Sequence, residues 1–429
     1  MLNPDLLRRD PERTRAILAR RGDDAVEAFN AAIAADEAWR RLTVQVEERR
    51  AERRQRASAR RGRPSDEEVR EERQLGERLS ELERLLKEAE ADRQQKLGWV
   101  PNLPDESVPP GKDETENEIV RVWGEPKAFD FEALPHWELA EKLDILDLEA
   151  GARLAGARFF VLKGAGAMLQ RALINFMLDL HIREQGYAEM HTPYLVREEI
   201  MYGSGQLPKF YDNLYHDADE DLWLIPTSEV PLVNLYYDQI MPPGALPVKI
   251  TAQSPCFRKE RAAAGRDVRG IKRVKQFYKV EMVRVVEPES SMKHLEELVA
   301  DAEEVLRRLE LPYQVMALCT GDLAFAMTKT YDLNAWAAGS GEWLEVSSIS
   351  NANDYQARRA NIRFRREPGG KTEFPHTLNG SGVALPRTLI AILENNQQPD
   401  GSVVIPRVLR PYMGGMERIV PGSAFRVPR

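Results

Sequence analysis

Apolar residues recur at steps of three and four positions through much of the first hundred residues of this chain, which indicates amphipathic helices. One seam consists of Leu75, Leu79, Leu82, Leu86 and Ala89. A shorter seam upstream consists of Trp39, Leu42 and Val46. Because successive steps of four and three form a heptad pattern, the two helices are predicted to pack along each other as a coiled coil.

A short break separates the two seams. The run Arg61-Gly62-Arg63-Pro64 stops a helix, and Ser65 or Asp66 can cap the next one. Elsewhere between residues 25 and 96 glycine and proline are nearly absent, so the composition is helical on both sides of the break. The sequence therefore predicts an antiparallel two-helix hairpin, called the arm below, within an N-terminal domain at residues 1–98.

Arginines crowd at the far end of the arm, where the apolar seam thins to alanines. They are Arg49, Arg50, Arg53, Arg54, Arg56, Arg60, Arg61 and Arg63. Glu52 is the only acid between them in the sequence. Positive charge concentrated on a weakly packed projection indicates contact with nucleic-acid phosphates. A run of charge is also typical of a solvated helical surface, so the cluster by itself leaves both interpretations open.

A proline-rich stretch follows the arm. Residues 99–124 contain Pro101, Pro104, Pro109 and Pro110. Proline lacks a backbone donor and fixes its own φ angle, which disfavours both helices and sheet ladders. We therefore expect a linker without a regular element in this range.

The remaining residues, 125–429, alternate helical seams with short apolar runs. Helical spacing occurs at 169–180 and 295–309, whereas the runs at 222–225 and 343–346 are typical of strands. Several successive strands have no helix between them, which favours an antiparallel sheet. The predicted fold class is α+β, with the helical arm followed by an antiparallel sheet domain flanked by helices.

Composition narrows the possible functions. The chain of 429 residues is long enough for two domains, and its net charge of −8 means that any nucleic-acid contact must use a local basic patch. Cys256 and Cys319 are too few for a disulfide framework and lie outside any CxxC motif, so we expect no zinc and a reducing compartment. Without a signal region or an apolar run of about 18 residues, we expect a cytoplasmic location and no membrane contact.

The most informative chemistry lies in one stretch of the second domain. Arg258 and Glu260 are two positions apart, so in an extended segment they would share one face. A basic loop follows, and Phe277 and Glu281 lie on the returning run. Guanidinium, aromatic ring and carboxylate together suit a nucleoside triphosphate. Because the sequence has neither a P-loop nor a GxGxxG unit after a strand, an ATP site would use another fold.

Taken in order, these segments resemble the motifs of seryl-tRNA synthetases, a family of class II aminoacyl-tRNA synthetases. Residues 186–193 resemble motif 1, residues 256–281 resemble motif 2, and residues 378–388 resemble motif 3. The resemblance covers essentially the whole chain, including the arm. It implies an enzyme that activates serine with ATP, forms seryl-adenylate and transfers the seryl group to the 3′ end of tRNA.

The resemblance implies a serine-binding pocket. Its residues would be Thr227, Ser228 and Glu229 in one loop, with Glu281, Asn379 and Ser381 from later motifs. The hydroxyl and the carboxylate of the loop can both accept from an α-ammonium group. Glu281 would accept from the serine hydroxyl and so disfavour alanine and glycine. By itself, the loop at 226–230 is more typical of a turn that caps a helix.

The resemblance also implies an ATP site. Its residues would be Arg258, Lys259, Glu260, Val274, Phe277, Glu345, Val346, Ser347, Ser348 and Arg387. Arg258 would hold the α-phosphate and the substrate carboxylate, for which a planar, permanently charged group is suited. Glu345 and Ser348 would bind Mg²⁺ with ATP, because this ion prefers oxygen ligands. Arg258, Glu345 and Arg387 are the implied catalytic residues.

Partners follow from the same resemblance. The arm arginines, which include Arg60 and Arg61, would contact tRNA(Ser), and the tRNA for selenocysteine is a second candidate substrate. Family members are homodimers with motif 1 at the interface. Motif 2 departs from the family pattern at Lys275, where histidine is usual, and at Arg261-Ala262, where Ala-Gly is usual. These departures make the loop more basic and bear on acceptor-stem contact.

Three alternative functions are open. Another class II synthetase would need a C-terminal anticodon-binding domain, and only about 30 residues follow the motif 3 helix. A paralogue that loads an amino acid onto a carrier protein would have no need of the basic arm. A non-enzymatic coiled-coil RNA-binding protein would have no need of the charged site residues Arg258, Glu260, Glu281, Glu345 and Arg387.

Overall fold

The computed structural model describes residues 1–59, 62, 65–261 and 269–422. The chain forms two compact units, Met1–Leu103 and Pro104–Arg429. The first unit is helical and contains α1 (Leu6–Arg9), α2 (Pro11–Ala19), α3 (Asp23–Ala59) and α4 (Asp66–Gly98). The helices α3 and α4 pack along each other, which confirms the predicted hairpin.

A capping box fixes the N-terminus of α4. Ser65 Oγ accepts a hydrogen bond from the backbone N–H of Glu68 at 3.2 Å, and Glu68 Oε2 accepts one from the N–H of Ser65 at 2.7 Å. Two donors that would otherwise lack partners in the first turn are thereby satisfied. In the seam, Val46, Leu75 and Leu79 are buried, so the heptad prediction is confirmed at these positions.

A buried charge cluster holds the base of the arm. The carboxylate of Asp36 on α3 accepts hydrogen bonds from Arg8 Nη2 on α1 and from Arg93 Nε on α4, each at 2.7 Å. Burial opposes ionisation of Asp36, but the hydrogen bonds from both arginines outweigh it and lower the pKa of the carboxyl group. One carboxylate therefore joins three helices.

The second unit contains both helices and strands. Its described α-helices are α5 (His136–Leu143), α6 (Leu148–Ala155), α7 (Gly164–Arg183), α8 (Glu198–Ser204), α9 (Glu229–Val233), α10 (Ser291–Arg308), α11 (Tyr355–Arg359) and α12 (Leu385–Asn395). Its described strands are β1 (Glu118–Trp123), β2 (Leu146–Asp147), β3 (Val161–Leu162), β4 (Ala188–Glu189), β5 (Leu195–Arg197), β6 (His216–Asp217), β7 (Leu222–Leu224), β8 (Ile240–Met241), β9 (Val248–Phe257), β10 (Gln276–Val286), β11 (Tyr313–Ala317), β12 (Lys329–Ala337), β13 (Glu342–Asn351), β14 (Arg363–Arg365), β15 (Thr372–Glu373), β16 (His376–Ala384), β17 (Val403–Val404) and β18 (Arg418–Ile419).

An eight-stranded sheet organises this unit. Its strand order is β1-β11-β12-β13-β16-β10-β9-β4, and every neighbouring pair is antiparallel except β4 with β9. The antiparallel α+β prediction is therefore confirmed. The register pairs Glu281 of β10 with Ser381 of β16 and Phe277 of β10 with Cys256 of β9, so segments distant in sequence meet at the sheet centre.

Helices α7, α10 and α12 pack against the sheet and bury their predicted apolar seams. From α10, Leu295, Leu298 and Val305 are fully buried, and α7 contributes Leu169 and Leu173 in the same core cluster. Within the described ranges, every helix is too short or too polar to cross a bilayer.

The expectation of a linker without regular structure at 99–124 is wrong at its C-terminal end. Strand β1 occupies Glu118–Trp123 and pairs with β11 at the edge of the main sheet. The prolines that motivated the expectation all precede Gly111, so residues 118–123 keep every backbone donor a strand needs. Trp123 also stacks on Tyr313 with ring centroids 5.6 Å apart, a contact that sequence spacing does not reveal.

Candidate active site

Strands β10, β13 and β16 line a cleft of about 390 Å³. Most of the predicted site residues line it: Thr227, Glu229, Arg258, Glu260, Val274, Phe277, Glu345, Val346, Ser347, Ser348, Asn379, Ser381 and Arg387. These residues come from separate segments of the sequence, and the antiparallel sheet brings them together.

Three predicted site residues do not line the cleft. The hydroxyl of Ser228 is buried and lies 2.5 Å from Ser254 Oγ. Lys259 is directed elsewhere, with its Nζ 5.7 Å from the ring centroid of Tyr215. Glu281 is fully buried and contacts residues that line the cleft, so it belongs to the pocket floor.

The pocket floor contains an ion pair between Lys279 and Glu281 on β10. Both side chains point to the cleft side because residues two apart on a strand share a face. The Lys279 ammonium also donates to Thr227 Oγ1 at 2.8 Å, and Asn379 Nδ2 donates to Glu281 Oε1 at 3.3 Å. Thr227 Oγ1 lies 3.5 Å from Glu281 Oε2. Charged groups so deeply buried require such partners.

Glu229 places a second buried carboxyl group beside this floor. Gln356 Nε2 donates to Glu229 Oε1 at 2.7 Å, and the Gln356 oxygen in turn accepts from Thr377 Oγ1 at 2.6 Å. Burial and then the negative charge of Glu281 raise the pKa of Glu229 to about 7. Two carboxyl groups beside one ammonium leave the pocket able to accept a further cationic group.

Arg258 and Glu260 reach the cleft through a turn, so the prediction that they share one face of an extended segment is wrong. Strand β9 ends at Phe257, and Glu260 has a left-handed φ of 51°. The carbonyl of Glu260 accepts a hydrogen bond from Arg158 Nη1 at 2.8 Å, which holds the turn. Arg258 Cζ lies 5.3 Å from the ring centroid of Phe277, so the guanidinium is placed over the aromatic face.

Arg387 lies in the first turn of α12, as predicted, and faces β13. Its Nη1 donates to the carbonyl of Glu345 at 2.8 Å and lies 3.1 Å from Glu345 Oε2. Its Nε donates to the carbonyl of Lys272 at 3.2 Å. The guanidinium thus connects motif 3 to motif 2 at Lys272 and to β13 at Glu345, and it borders the open part of the cleft.

The glycines of motif 3 do not form a turn, contrary to the sequence-based interpretation. They lie in strand β16, where close neighbours leave no room for a side chain. A Cβ at Gly380 would lie 3.0 Å from the side chain of Ile349, and one at Gly382 would lie 2.5 Å from His181 Nε2. Glycine is therefore needed here for close packing of the central strands.

The residues around Glu345 suit a divalent cation bound through oxygen. Ser348 of β13 pairs in register with Asp332 of β12. Burial and then the charge of Glu345 raise the pKa of Asp332 well above its ordinary range, and Asp332 Oδ1 is buried without a hydrogen-bond partner among the described residues. Within the described ranges no three His, Cys, Asp or Glu side chains form a metal cage. The donor set thus fits an ion that keeps water or phosphate ligands.

Sequence reasoning missed several residues of the site. They are Lys272, Arg273, Lys279 and Gln356. Lys279 could have been found, because it alternates with Phe277 and Glu281 on one strand face. Gln356 carries no comparable signal, since it meets Glu229 only through the fold.

The arm arginines are largely paired with glutamates. Arg50 pairs with Glu83 at 2.9 Å, and Arg56 pairs with Glu71 at 3.1 Å, in each case across the hairpin. Arg53 pairs with Glu72 at 3.2 Å and Arg49 with Glu52 at 2.6 Å. Water screens such exposed pairs and makes them weak, so a polyanion can compete for these arginines.

Among the other arm arginines, the structure describes Arg54. Arg54 is exposed on α3. Arg60, Arg61 and Arg63 lie outside the described residues, as does Ala262 of motif 2.

Comparisons with known proteins find families that match both parts of the chain. Residues 1–104 match the seryl-tRNA synthetase N-terminal domain family, and residues 211–396 match the tRNA synthetase class II core domain family (G, H, P, S and T). The chain is 55% identical over 434 residues to a serine–tRNA ligase of Thermomicrobium roseum, covering 100% of this chain and 97% of the relative.

Solved structures agree with the sequence comparison. The seryl-tRNA synthetase of Pyrococcus horikoshii, in complex with ATP, is similar with a TM-score of 0.92 and 37% identity, covering 98% of this chain and 100% of that one. The cytoplasmic serine–tRNA ligase of Naegleria fowleri, in complex with AMP, has a TM-score of 0.88 and 32% identity, covering 98% and 99%.

We predict that Glu229→Gln changes how stability depends on pH. Since the folded pKa of Glu229 is raised, the folded protein retains a proton between about pH 4.5 and pH 7 that the unfolded chain has lost. That stabilisation is full at low pH and is lost as the pH rises through about 7. Relative to wild type, the variant should therefore gain up to about 3 kcal/mol across this window, measured by urea unfolding.

Glu394→Gln is the control of opposite sign. Burial opposes ionisation of Glu394, but hydrogen bonds from His136 and Ser340 lower its pKa. This variant should be less stable than wild type at neutral pH, by a margin that shrinks as the pH falls below about 4.5. A constant difference between Glu229→Gln and wild type from pH 4.5 to 8 would contradict the raised pKa.

Proposed function

The chain belongs to the seryl-tRNA synthetase family, and we propose how its residues divide the work of this ATP-dependent serine–tRNA ligase. The enzyme activates serine with ATP and transfers the seryl group to tRNA, which follows from 55% identity across the full chain. The observation that carries the proposed assignment of residues is the Lys279–Glu281 floor beneath the cleft.

We assign the floor to the amino-acid substrate. The serine ammonium would bind between the Glu229 carboxylate and the Thr227 hydroxyl, which lie in one loop above Glu281. The serine hydroxyl would donate to Glu281, supported by Ser381 in the neighbouring strand. An amino acid without a hydroxyl would leave this buried acceptor without its last partner, which is costly.

The open part of the cleft is assigned to ATP. Phe277 and Arg387 would contact the two faces of the adenine, and base–aromatic stacking contributes about 1–3 kcal/mol. Glu260 would accept from the adenine amine. Arg258 would hold the α-phosphate together with the serine carboxylate, which brings nucleophile and phosphorus together.

We propose that the reaction proceeds in two steps. The serine carboxylate attacks the α-phosphorus of ATP, seryl-adenylate forms and pyrophosphate leaves. A ribose hydroxyl at the 3′ end of tRNA then attacks the seryl carbonyl and AMP leaves. Glu345 and Ser348 would hold Mg²⁺, which when bound neutralises phosphate charge. Because a carboxylate is already nucleophilic at neutral pH, the first step needs no side chain as a general base. In the second step the proton of the ribose hydroxyl would pass to the leaving AMP phosphate.

The remaining assignments concern partners and location. Residues 1–98 would bind tRNA(Ser), and the selenocysteine tRNA as a second substrate, whereas residues 125–429, together with the edge strand β1, would perform the chemistry. We propose a homodimer with motif 1 at the interface. A cytoplasmic location is supported by two buried thiols, Cys256 and Cys319, which form no disulfide.

If the Lys279–Glu281 floor binds serine, a single and a double variant should differ in stability but share a loss of activity. Glu281→Gln leaves the Lys279 ammonium buried without its counter-charge and should destabilise the protein by about 3–5 kcal/mol. The double variant Lys279→Met with Glu281→Leu removes both charges and should recover most of that stability. Urea unfolding measures this difference.

Neither variant should support serine-dependent ATP–pyrophosphate exchange, because both lack the acceptor for the serine hydroxyl. The loss should reach at least about a hundredfold, the order expected for a missing buried hydrogen-bonding partner. Exchange at the wild-type rate in the double variant would show that Glu281 supports the fold and takes no part in binding serine.

If the arm binds tRNA, neutralising its arginines and neutralising their partner glutamates should have opposite effects on the KM for tRNA. Neutralising Arg50, Arg53 and Arg56 with glutamine should raise the KM for tRNA and flatten its salt dependence by about 0.7–0.9 in log–log slope per lost phosphate contact. Pyrophosphate exchange without tRNA should not change, since the cleft lies wholly in the second unit.

The matched control neutralises the partner glutamates. Glu71, Glu72 and Glu83 changed to glutamine should release the arginines for phosphate and lower the KM for tRNA. Equal aminoacylation kinetics in both triple variants and wild type would establish that the arm charges form only a solvated surface.

A further inference from the structure

Two side chains from outside the motifs support the base of the motif 2 loop. They are His136, at the start of α5, and Arg158, in the segment between α6 and β3; together they are called the loop brace below. The residues they hold lead directly into Lys272, Arg273 and Val274, which line the cleft.

His136 supports the returning side of the loop. Its ring is fully buried, and Nε2 accepts the backbone N–H of Ile271 at 3.2 Å. Because Nε2 accepts, the ring proton lies on Nδ1, which donates to Glu394 Oε1 at 3.0 Å. A Cβ at Gly270 would lie only 1.9 Å from Nε2, so the backbone passes directly over the imidazole.

Glu394 is itself fixed and lies on the motif 3 helix. Its carboxylate accepts from the N–H of His136 at 2.8 Å and from the N–H and hydroxyl of Ser340, each at 2.8 Å. The same helix carries Arg387, which donates to the carbonyl of Lys272. Helix α12 therefore holds two successive loop residues, Lys272 directly and Ile271 through His136.

Arg158 holds the outgoing and returning sides together. Its Nη1 donates to the carbonyl of Glu260 at 2.8 Å, and its own carbonyl accepts from the N–H of Lys275 at 3.0 Å. Glu260 and Lys275 flank the loop on opposite sides. The loop base is thus fixed at both ends by groups that lie outside the motifs.

We propose that the loop brace positions the motif 2 backbone for ATP, so that His136 and Arg158 are positioning residues for the activation step. Neither residue lines the cleft. They act on nucleotide binding by fixing residues 270–275, which carry Lys272 and Val274. The proposal rests on the assignment of the open cleft to ATP and adds the residues that keep it in shape. Misplacement of such groups by about 1 Å can reduce a rate strongly.

The test measures ATP–pyrophosphate exchange in full-length His136→Gln and Arg158→Met, with KM determined separately for ATP and serine. The KM for ATP should rise about tenfold in each variant, whereas the KM for serine should stay within about twofold, because the brace bonds to Glu260, Ile271 and Lys275, which border the part of the cleft assigned to ATP. His181→Asn is the matched control, since His181 is equally buried but bonds to Gln185. It should lower the melting temperature without changing the ratio of the two KM values.

If the loop brace only stabilises the fold, its variants should change the melting temperature and leave the KM values unchanged. His136→Gln would then lower the melting temperature as His181→Asn does, with both KM values unchanged, and this result would overturn the proposal. If His136→Gln does not fold, Arg158→Met decides, because Arg158 is only half-buried. An unchanged KM for ATP in that variant is equally contradictory. Failure of the proposed function is distinguishable, since wild-type protein would then show no serine-dependent exchange.

Discussion

The ion pair between Lys279 and Glu281 is the interaction on which the pocket depends. Both groups are almost completely withdrawn from water, so their charges must be compensated inside the protein. Thr227 and Asn379 supply the remaining hydrogen bonds from a loop and from the neighbouring strand. The register of β10 against β16 fixes the position of Asn379, so the proposed selectivity for a hydroxylated amino acid depends in part on the central sheet.

The part of the cleft assigned to ATP differs from the floor, because its charged groups are less buried. Arg387 and Glu345 are partly exposed, and their contact joins α12 to β13. Charges that are hydrated before substrate arrives cost less to maintain and can exchange partners when phosphate binds. Under the proposed assignment, the polar floor discriminates between amino acids, whereas the open rim neutralises phosphate charge.

Much of the fold could be predicted from the sequence because its signals are local. The heptad seams and Ser65 define the arm, and the short apolar run at 343–346 marks β13 of the main sheet. Contacts between distant segments were not predictable in this way. Strand β1 exists because it pairs with β11, and Glu260 adopts a left-handed φ because Arg158 holds its carbonyl.

The candidate site likewise combines features that the sequence indicates with contacts between distant segments. Family resemblance, and not residue chemistry alone, assigned roles to Thr227 and Phe277, since a capping turn and a core aromatic are the more ordinary explanations of such residues. The partners that tune these groups are encoded only in three dimensions. Gln356 meets Glu229 through the packing of α11 on β16, and the arm arginines meet glutamates that return on α4.

The central claim is that the buried floor selects serine. ATP–pyrophosphate exchange measured with each of the twenty amino acids in turn tests it most directly. The account predicts exchange with serine that exceeds that with alanine or glycine by about a thousandfold or more, the scale available to a site built to hydrogen-bond a hydroxyl. Comparable exchange with alanine and serine would contradict it.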